Sequence, residues 1–304
     1  MTVSVAVIIL TLNEAEHVAR AIQSIIPFAS SIYVVDSGST DGTVELARES
    51  GAQVVDHPFV NQAKQFQWAL DHLYIAEDWV LRLDADEIIE TDLAERIGRE
   101  LPALPAEVTG VTFDRKHIFM GRWIRHGGRY PLTMLRLFRR GCGRIEQRWM
   151  DEHIVVDAGR VVHFAGGFAD HNLKDLTAFT DKHNRYATRE AADVLLQRFG
   201  LRPEDRAMHH GGTSRQAQLT RWIKERFYNR LPFAVSATGY FLLRYVGQGG
   251  FLDGREGLIY HFLQGYWYRF LVGAKVLEFD RALQNCTDAP SLLARLREVT
   301  GLDL

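Results

Sequence analysis

Cysteine is scarce. Cys142 and Cys286 are the only two in 304 residues, too few for a disulfide framework or a zinc cluster, and this usage points to a reducing compartment. No run reaches the roughly 18 uninterrupted apolar residues of a membrane span, so the chain is expected to stay in solution or lie on a surface. A formal net charge of -2 gives no global reason to expect nucleic acid as a partner, and none is expected. Gly-x-Gly-x-x-Gly does not follow the first apolar run and no Gly-Lys-Ser/Thr loop occurs, which argues against a dinucleotide-binding Rossmann site and a phosphate loop. Residues 1–10 are apolar without a basic n-region and run straight into Thr11-Leu12-Asn13-Glu14, so they read as a first strand and not as a signal peptide.

What is present is a globular composition, 46% hydrophobic and 24% charged, long enough for one domain of ordinary size and a substantial extension. Residues 3–10, 32–35, 52–55 and 79–83 read as buried strands, because apolar runs are bounded there by turn formers. Helices are expected between them. The first carries Ala15, Val18, Ala19, Ile22, Ile25 and Ile26 on one face, with Asn13 and Glu16 as a capping box. The second covers residues 44–49, and the third places Phe66, Ala69, Leu70 and Leu73 on one face. Strands alternating with helices at this spacing imply right-handed βαβ units and a parallel sheet. After a helix at about residues 93–101, alternation at 111–114 and a short run at 135–138 imply mixed or antiparallel strands that complete the sheet.

Two acidic stretches stop at strand ends, Asp36-Ser37-Gly38-Ser39-Thr40-Asp41-Gly42 and Asp84-Ala85-Asp86-Glu87. Ligands of open α/β sheets bind at carboxyl ends of strands. Asp84 and Asp86 are two apart, a spacing that puts side chains on the same side of a strand. Such a pair can hold one hard divalent cation, or one carboxylate can take the metal while the other holds a sugar hydroxyl. Asp36 can accept hydrogen bonds from a base or a ribose, or cap its own turn.

Taken together, Thr11-Leu12-Asn13-Glu14, Asp36-Ser37 and Asp84-Ala85-Asp86 resemble the motifs of the inverting family 2 glycosyltransferases with a GT-A fold. The resemblance is specific over residues 3–87, looser to about 171 and weak beyond. It implies an α/β, mostly parallel sheet with helices on both faces, forming a nucleotide-sugar-binding domain over residues 1–170, and a helical, aromatic and basic extension over 171–304. It further implies a UDP-sugar donor contacted along Thr11, Asn13, Glu14, Asp36 and Ser37. Asp84 and Ala85 would lie near ribose and sugar, and Asp86 would hold Mg²⁺ or Mn²⁺ on the diphosphate. Lys64 and Gln65 match the polar helix lining the donor site, and His171 stands where a third metal ligand is expected. Asp151 and Glu152 occupy the place of the catalytic base in Asp-Glu order where the family has Glu-Asp, and Glu152 is favoured. Adjacent carboxylates also raise one pKa toward a useful value.

Residues 114–148 carry ten Lys/Arg against two acids, which is either a solvated basic face or a pocket for phosphates or an anionic acceptor. Residues 171–198 read as one long helix. Residues 200–214 read as a linker. Residues 215–275 hold fourteen of the 33 aromatic residues with nine Lys/Arg and three acids, a mixture suited either to a bilayer interface or to a buried helical hairpin. The stretches 182–187 and 249–257 are similar to bacterial enzymes that extend lipopolysaccharide core or lipid-linked exopolysaccharide. That similarity implies a lipid-linked saccharide acceptor and a cytoplasmic enzyme held peripherally at the inner face of the cytoplasmic membrane. Two other classes compete. A sugar nucleotidyltransferase would carry a Gly-rich basic loop where Thr11-Leu12-Asn13-Glu14 stands, and a non-catalytic scaffold would lack the Asp-x-Asp or the base.

Overall fold

The computed structural model describes residues 4–146, 153–201 and 232–302. The chain divides into two compact units, Met1–Leu173 and Lys174–Leu304.

In the first unit, β1 (Val5–Thr11), β2 (Ser31–Asp36), β3 (Gln53–Asp56) and β4 (Trp79–Asp84) alternate with α1 (Val18–Ile25), α2 (Thr43–Glu49) and α3 (Gln62–His72). There follow β5 (Glu87–Ile89), α4 (Thr91–Glu100), β6 (Val108–Phe119), β7 (Arg122–Trp123), β8 (Thr133–Arg139), β9 (Gly143–Ile145), β10 (Ile154–Val156), β11 (Arg160–His163) and β12 (Phe168–His171). The main sheet runs β3-β2-β1-β4-β8-β6-β12-β5, with β7 and β11 also paired to β6, while β9 and β10 form a separate ribbon. Pairs among β3, β2, β1 and β4 are parallel, and β8 is antiparallel to both β4 and β6.

β1 is apolar throughout because both of its faces are covered. Val5, Val7 and Ile9 pack with Val18, Ile22 and Ile25 of α1 and Leu93 and Ile97 of α4, whereas Ala6 and Ile8 pack with Phe66 and Ala69 of α3. The result is a three-layer sandwich whose strand ends converge on one edge.

Three local expectations are corrected. The first helix does not begin at a capping box on Asn13. It starts at Val18 after His17, with no side-chain cap bond, because the Asn13 amide oxygen accepts from the Thr40 N–H at 2.8 Å and Asn13 itself is left-handed at φ 55°. Asn residues tolerate that conformation better than most. Asp84 and Asp86 do not share a strand face either, since β4 ends at Asp84 and Ala85-Asp86 turn the chain into β5. Finally, residues 168–171 are a strand pairing with β5 and β6. The helix expected from 171 starts at Leu176, where the Asp175 carboxylate accepts from the Ala178 N–H.

The second unit comprises α5 (Leu176–Arg198), α6 (Phe233–Leu242), a π-helical turn (Leu243–Gly247), a 3₁₀ turn (Gly250–Asp253), α7 (Gly254–Tyr260), a second π-helical segment (His261–Trp267), α8 (Tyr268–Ala282) and α9 (Ala289–Thr300). Ala191, Ala192 and Leu195 of α5 pack with Phe279, Leu283 and Leu296. The Tyr268 hydroxyl donates to Glu190 at 2.6 Å. Gly257 lets α7 fold tightly over the 3₁₀ turn, because a Cβ there would lie 2.8 Å from the Gly250 carbonyl oxygen. Among the described residues no helix is long and apolar enough to cross a membrane.

Candidate active site

The carboxyl ends of β2, β1 and β4 lie side by side. Thr11 is in register with Asp36 on one side, and Leu10 with Asp84 on the other. The Thr11 hydroxyl donates to Asp36 Oδ1 at 2.7 Å, and Oδ1 also accepts from the Ser39 hydroxyl. Oδ2 accepts from the N–H groups of Gly38 and Ser39 at 2.9 and 2.7 Å. An ionised carboxylate has about four acceptor positions, and all four are taken by the protein. Burial works to raise the Asp36 pKa, but the bonds from Ser39, Thr11 and Gly38 outweigh it and hold the carboxyl below its ordinary value.

The loop after β1 is tied to the loop after β2. Asn13 N–H donates to the Ser39 hydroxyl, Glu14 N–H to the Thr43 hydroxyl, and Ala15 N–H to Asp41. Glu14 accepts from His17 Nδ1 at 2.6 Å, while the Leu173 N–H donates to His17 Nε2 at 2.9 Å. A backbone N–H can only donate, so the proton of this fully buried ring sits on Nδ1. On the β2 side, the Gln65 amide donates to the Val35 carbonyl and the Ser37 hydroxyl. Lys64 is exposed on the first turn of α3.

At β4 the picture is one of arginine. Asp84 accepts from Arg82 Nε at 3.3 Å and from Arg136 Nη2 at 3.0 Å. The same Nη2 donates to Glu87 at 2.6 Å, and the other Glu87 oxygen accepts from the Asp84 N–H at 3.0 Å. Arg115 pairs with Glu87 and Asp170 at 3.4 and 3.7 Å, and His117 lies 3.1 Å from Asp170. Burial works to raise Asp84, but Arg136, then Arg82 and Arg115, hold its carboxyl well below the usual carboxylate range. Burial pushes Glu87 up to about 7, with the charge of Arg136 opposing and that of Asp84 adding.

Asp86, in the turn, has different partners. Asn172 donates its side-chain amide to Asp86 Oδ2 at 2.9 Å, and the His171 N–H donates to the Asp86 carbonyl at 2.9 Å. Arg20 Nη1 stands 3.1 Å from His171 Nδ1. Since a guanidinium only donates, that ring nitrogen is an acceptor here. Burial and the Arg20 charge lower the His171 pKa. The Ala85 side chain is buried in the core, so any donor contact there falls to its backbone.

The sequence model described as "Glycosyl transferase family 2" matches residues 6–169, more than half of the chain. The chain belongs to that family. Its parallel β3-β2-β1-β4 half, joined to antiparallel β8 and β6, is the GT-A fold of such an enzyme. Among the relatives of this family 2 glycosyltransferase, the lipopolysaccharide core biosynthesis glycosyltransferase LpsC of Rhizobium meliloti is 28% identical over 298 residues, 93% of this chain and 96% of that one. An uncharacterized glycosyltransferase of Rickettsia conorii is 39% identical over 97 residues, 32% of this chain and 34% of that one. The match thus spans about a third of the rickettsial relative's length. Glucosyl-3-phosphoglycerate synthase from Mycobacterium tuberculosis, solved with Mn²⁺, UDP and glucosyl-3-phosphoglycerate, overlays with a TM-score of 0.40 at 19% identity, covering 66% of this chain and 81% of that one.

In this chain the structure brings Thr11, Asn13, Glu14, Asp36, Ser37, Gln65, Asp84, Asp86 and His171 to the ends of β1, β2, β4 and β12 and the helices behind them. Asp151 and Glu152 lie outside the described residues. The residues on either side of that interval are bonded to each other, the Glu146 N–H donating to the His153 carbonyl at 2.9 Å. The sequence places Glu87 at this strand end without a role, and gives no sign that Arg82, Arg136, His17, Arg20 and Asn172 belong to this edge beyond the following. A signal existed for two of them, because Arg82 interrupts the apolar run 79–83 and Arg136 the apolar run 134–138.

Proposed function

We propose that this transferase moves a hexose, with inversion, from a UDP-sugar to a lipid-linked or lipopolysaccharide-core saccharide and uses Mg²⁺ or Mn²⁺. The observation that carries the reading is the register at the sheet edge, which sets Asp36 and Asp84 on the strands flanking the end of β1. LpsC, similar over nearly the whole chain, is named for lipopolysaccharide core biosynthesis, and this supports the acceptor class.

The nucleoside would lie along Thr11, Asn13, Glu14, Asp36 and Ser37, with Lys64 and Gln65 behind it and Asp84 and Ala85 toward the sugar. Because all four Asp36 acceptor positions are used, a base N–H takes one by displacing a bond such as that of the Ser39 hydroxyl. The donor set suits a hard cation, since Asp86 offers carboxylate oxygen in a turn. Among the described residues no three His, Cys, Asp or Glu side chains gather into a metal cluster, which fits an ion whose shell is completed by substrate phosphates. Asp86 would hold it, with His171 as a further ligand once Arg20 leaves the ring. Bound there, the ion supplies Lewis-acid stabilisation of the departing diphosphate.

Glu152, or Asp151 beside it, takes the proton from the acceptor hydroxyl as that oxygen attacks the anomeric carbon from the face opposite the nucleotide. Residues 1–170 would hold this chemistry, and residues 171–304 would keep the enzyme at the inner face of the cytoplasmic membrane. Support for the second part comes from residues 232–254, whose only charges are Arg244 and Asp253, both buried, while Leu242, Leu243, Val246, Phe251 and Leu252 are exposed. Apolar surface of this kind suits an interfacial segment.

Calorimetric titration of the full chain with UDP, with and without Mn²⁺, tests the reading. Mn²⁺-dependent binding that disappears in Asp86→Ala is expected. Equal UDP affinity in the two proteins would remove the metal assignment, and no UDP binding at all would remove the donor.

A further inference from the structure

A cavity of about 220 Å³ opens between β4 and β8, lined by Arg82, Thr133, Leu135, Arg136 and His153. We propose that this cavity binds an oxyanion of the acceptor saccharide, a carboxylate or a phosphate, through Arg82 and Arg136. The inference rests on the donor-edge reading given above and names a substrate class that the reading leaves open.

Arg82 and Arg136 are 4% and 3% exposed. Arginine is rarely buried so deeply in an apolar strand without a partner. Their carboxylate partners use only part of what they offer. Among the described residues Arg82 bonds through Nε to Asp84 and through Nη2 to Gln62, and Arg136 bonds through Nη2 alone. Among the described residues the Arg136 Nε is buried with no hydrogen-bond partner, and Nη1 of each guanidinium makes no hydrogen bond to them. A guanidinium is a fork of five donors with no acceptor, so what remains selects an anion. Both forks are also held in place, Arg82 over the Phe66 ring at 5.4 Å and Arg136 over the Phe168 ring at 5.6 Å.

The backbone supplies a second observation. β8 is out of step with β6 by one residue, Val111 opposing Leu137 while Thr112 opposes Leu135. Arg136 is therefore the extra residue of a β-bulge, a device that re-aims a side chain.

Position in the sheet assigns the anion to the acceptor. The nucleoside edge is formed by β2 and β1, whereas the cavity lies on the far side of Asp84, at β4 and β8. Its wall includes His153. An oxyanion bound here would hold the acceptor and leave the donor's diphosphate to the other side of Asp84.

The test uses the full chain in EDTA and a phosphate-free buffer, titrated calorimetrically with inorganic phosphate, D-glucuronate and D-glucose. Phosphate and glucuronate should bind and glucose should not, and in an EDTA-free sample saturating UDP with Mn²⁺ should leave phosphate binding unchanged. Arg82→Gln should weaken phosphate binding at least tenfold. His153→Glu, at an exposed position that does not threaten the core, should do the same by placing a like charge at the rim. Equal phosphate affinity in wild type and both variants, or no phosphate binding to wild type, overturns the proposal. Displacement of phosphate by UDP also overturns it, because the cavity would then belong to the donor. UDP with Mn²⁺ is titrated into the same protein after removal of the EDTA, so the two readings fail separately. Phosphate bound without UDP refutes the nucleotide reading and upholds the anion site, and UDP bound without phosphate does the reverse.

Discussion

The Asn172 side-chain amide holds the Asp86 carboxylate at 2.9 Å across the edge between β12 and the turn after β4. The bond fixes Oδ2 of the carboxylate in the turn where a cation would sit. Partners of this kind, one step removed from a metal, typically change its affinity 10–100-fold when lost. Asn172→Ala is therefore expected to weaken Mn²⁺-dependent UDP binding by about tenfold while metal-free thermal stability changes little. Calorimetric titration checks the first and scanning calorimetry the second, and unchanged Mn²⁺ dependence would show that Asn172 does not position a metal ligand.

Asp36 joins four donors of two loops. Asp36→Asn puts an amide nitrogen, itself a donor, against at least one of them, and we expect a loss of about 2–3 kcal/mol in urea unfolding. The folded pKa of Asp36 is depressed. Its ionised form thus contributes stability that is present above the unfolded carboxylate pKa and lost as pH falls through the folded value. In Asp36→Asn the acid limb of the stability curve should be shallower than in wild type.

Glu87 behaves in the opposite sense, because its pKa is raised to about 7. Between its ordinary value of 4.5 and about 7 the folded chain keeps a proton that the unfolded chain has released. Stability should fall with rising pH in that window, by at most about 1.4 kcal/mol per pH unit. Glu87→Gln should flatten that slope, which urea unfolding in EDTA from pH 5 to pH 8 would measure. A wild-type slope of the other sign would mean that Arg136 and Arg115 keep Glu87 ionised throughout.

Phe251 and Leu252 are more than half exposed at the 3₁₀ turn of the helical unit. Phe251→Glu combined with Leu252→Glu should reduce sedimentation with vesicles of phosphatidylglycerol and phosphatidylethanolamine by about tenfold or more, from lost apolar burial and added negative charge. The fold should survive, since neither side chain is in the core. Undiminished sedimentation would place membrane contact elsewhere or dispense with it.

Much of the scaffold was legible because buried parallel strands and their helices leave a strong periodic trace. β1 is apolar at nearly every position, and Phe66, Ala69 and Leu73 mark α3 and its end by helical spacing. Asn13 was misread because its local pattern of a capping box lost to a tertiary competitor, the Thr40 N–H. The helix expected from residue 171 starts only at Leu176 because His171 ends a strand paired with β6, a pairing that no local pattern reports.

By itself the sequence determined which strand ends carry carboxylates, since Thr11, Asp36 and Asp84 each stand where an apolar run stops and the chain must turn. It also determined the family, through the motifs at those ends. Only the tertiary structure decided what the carboxylates touch. Arg136 lies 52 residues beyond Asp84 and reaches it through the antiparallel pairing of β4 with β8 and a one-residue bulge against β6. Register and bulge depend on how whole strands pack, so the burial of Arg82 and Arg136 around a cavity is a property of the folded sheet rather than of either strand's sequence.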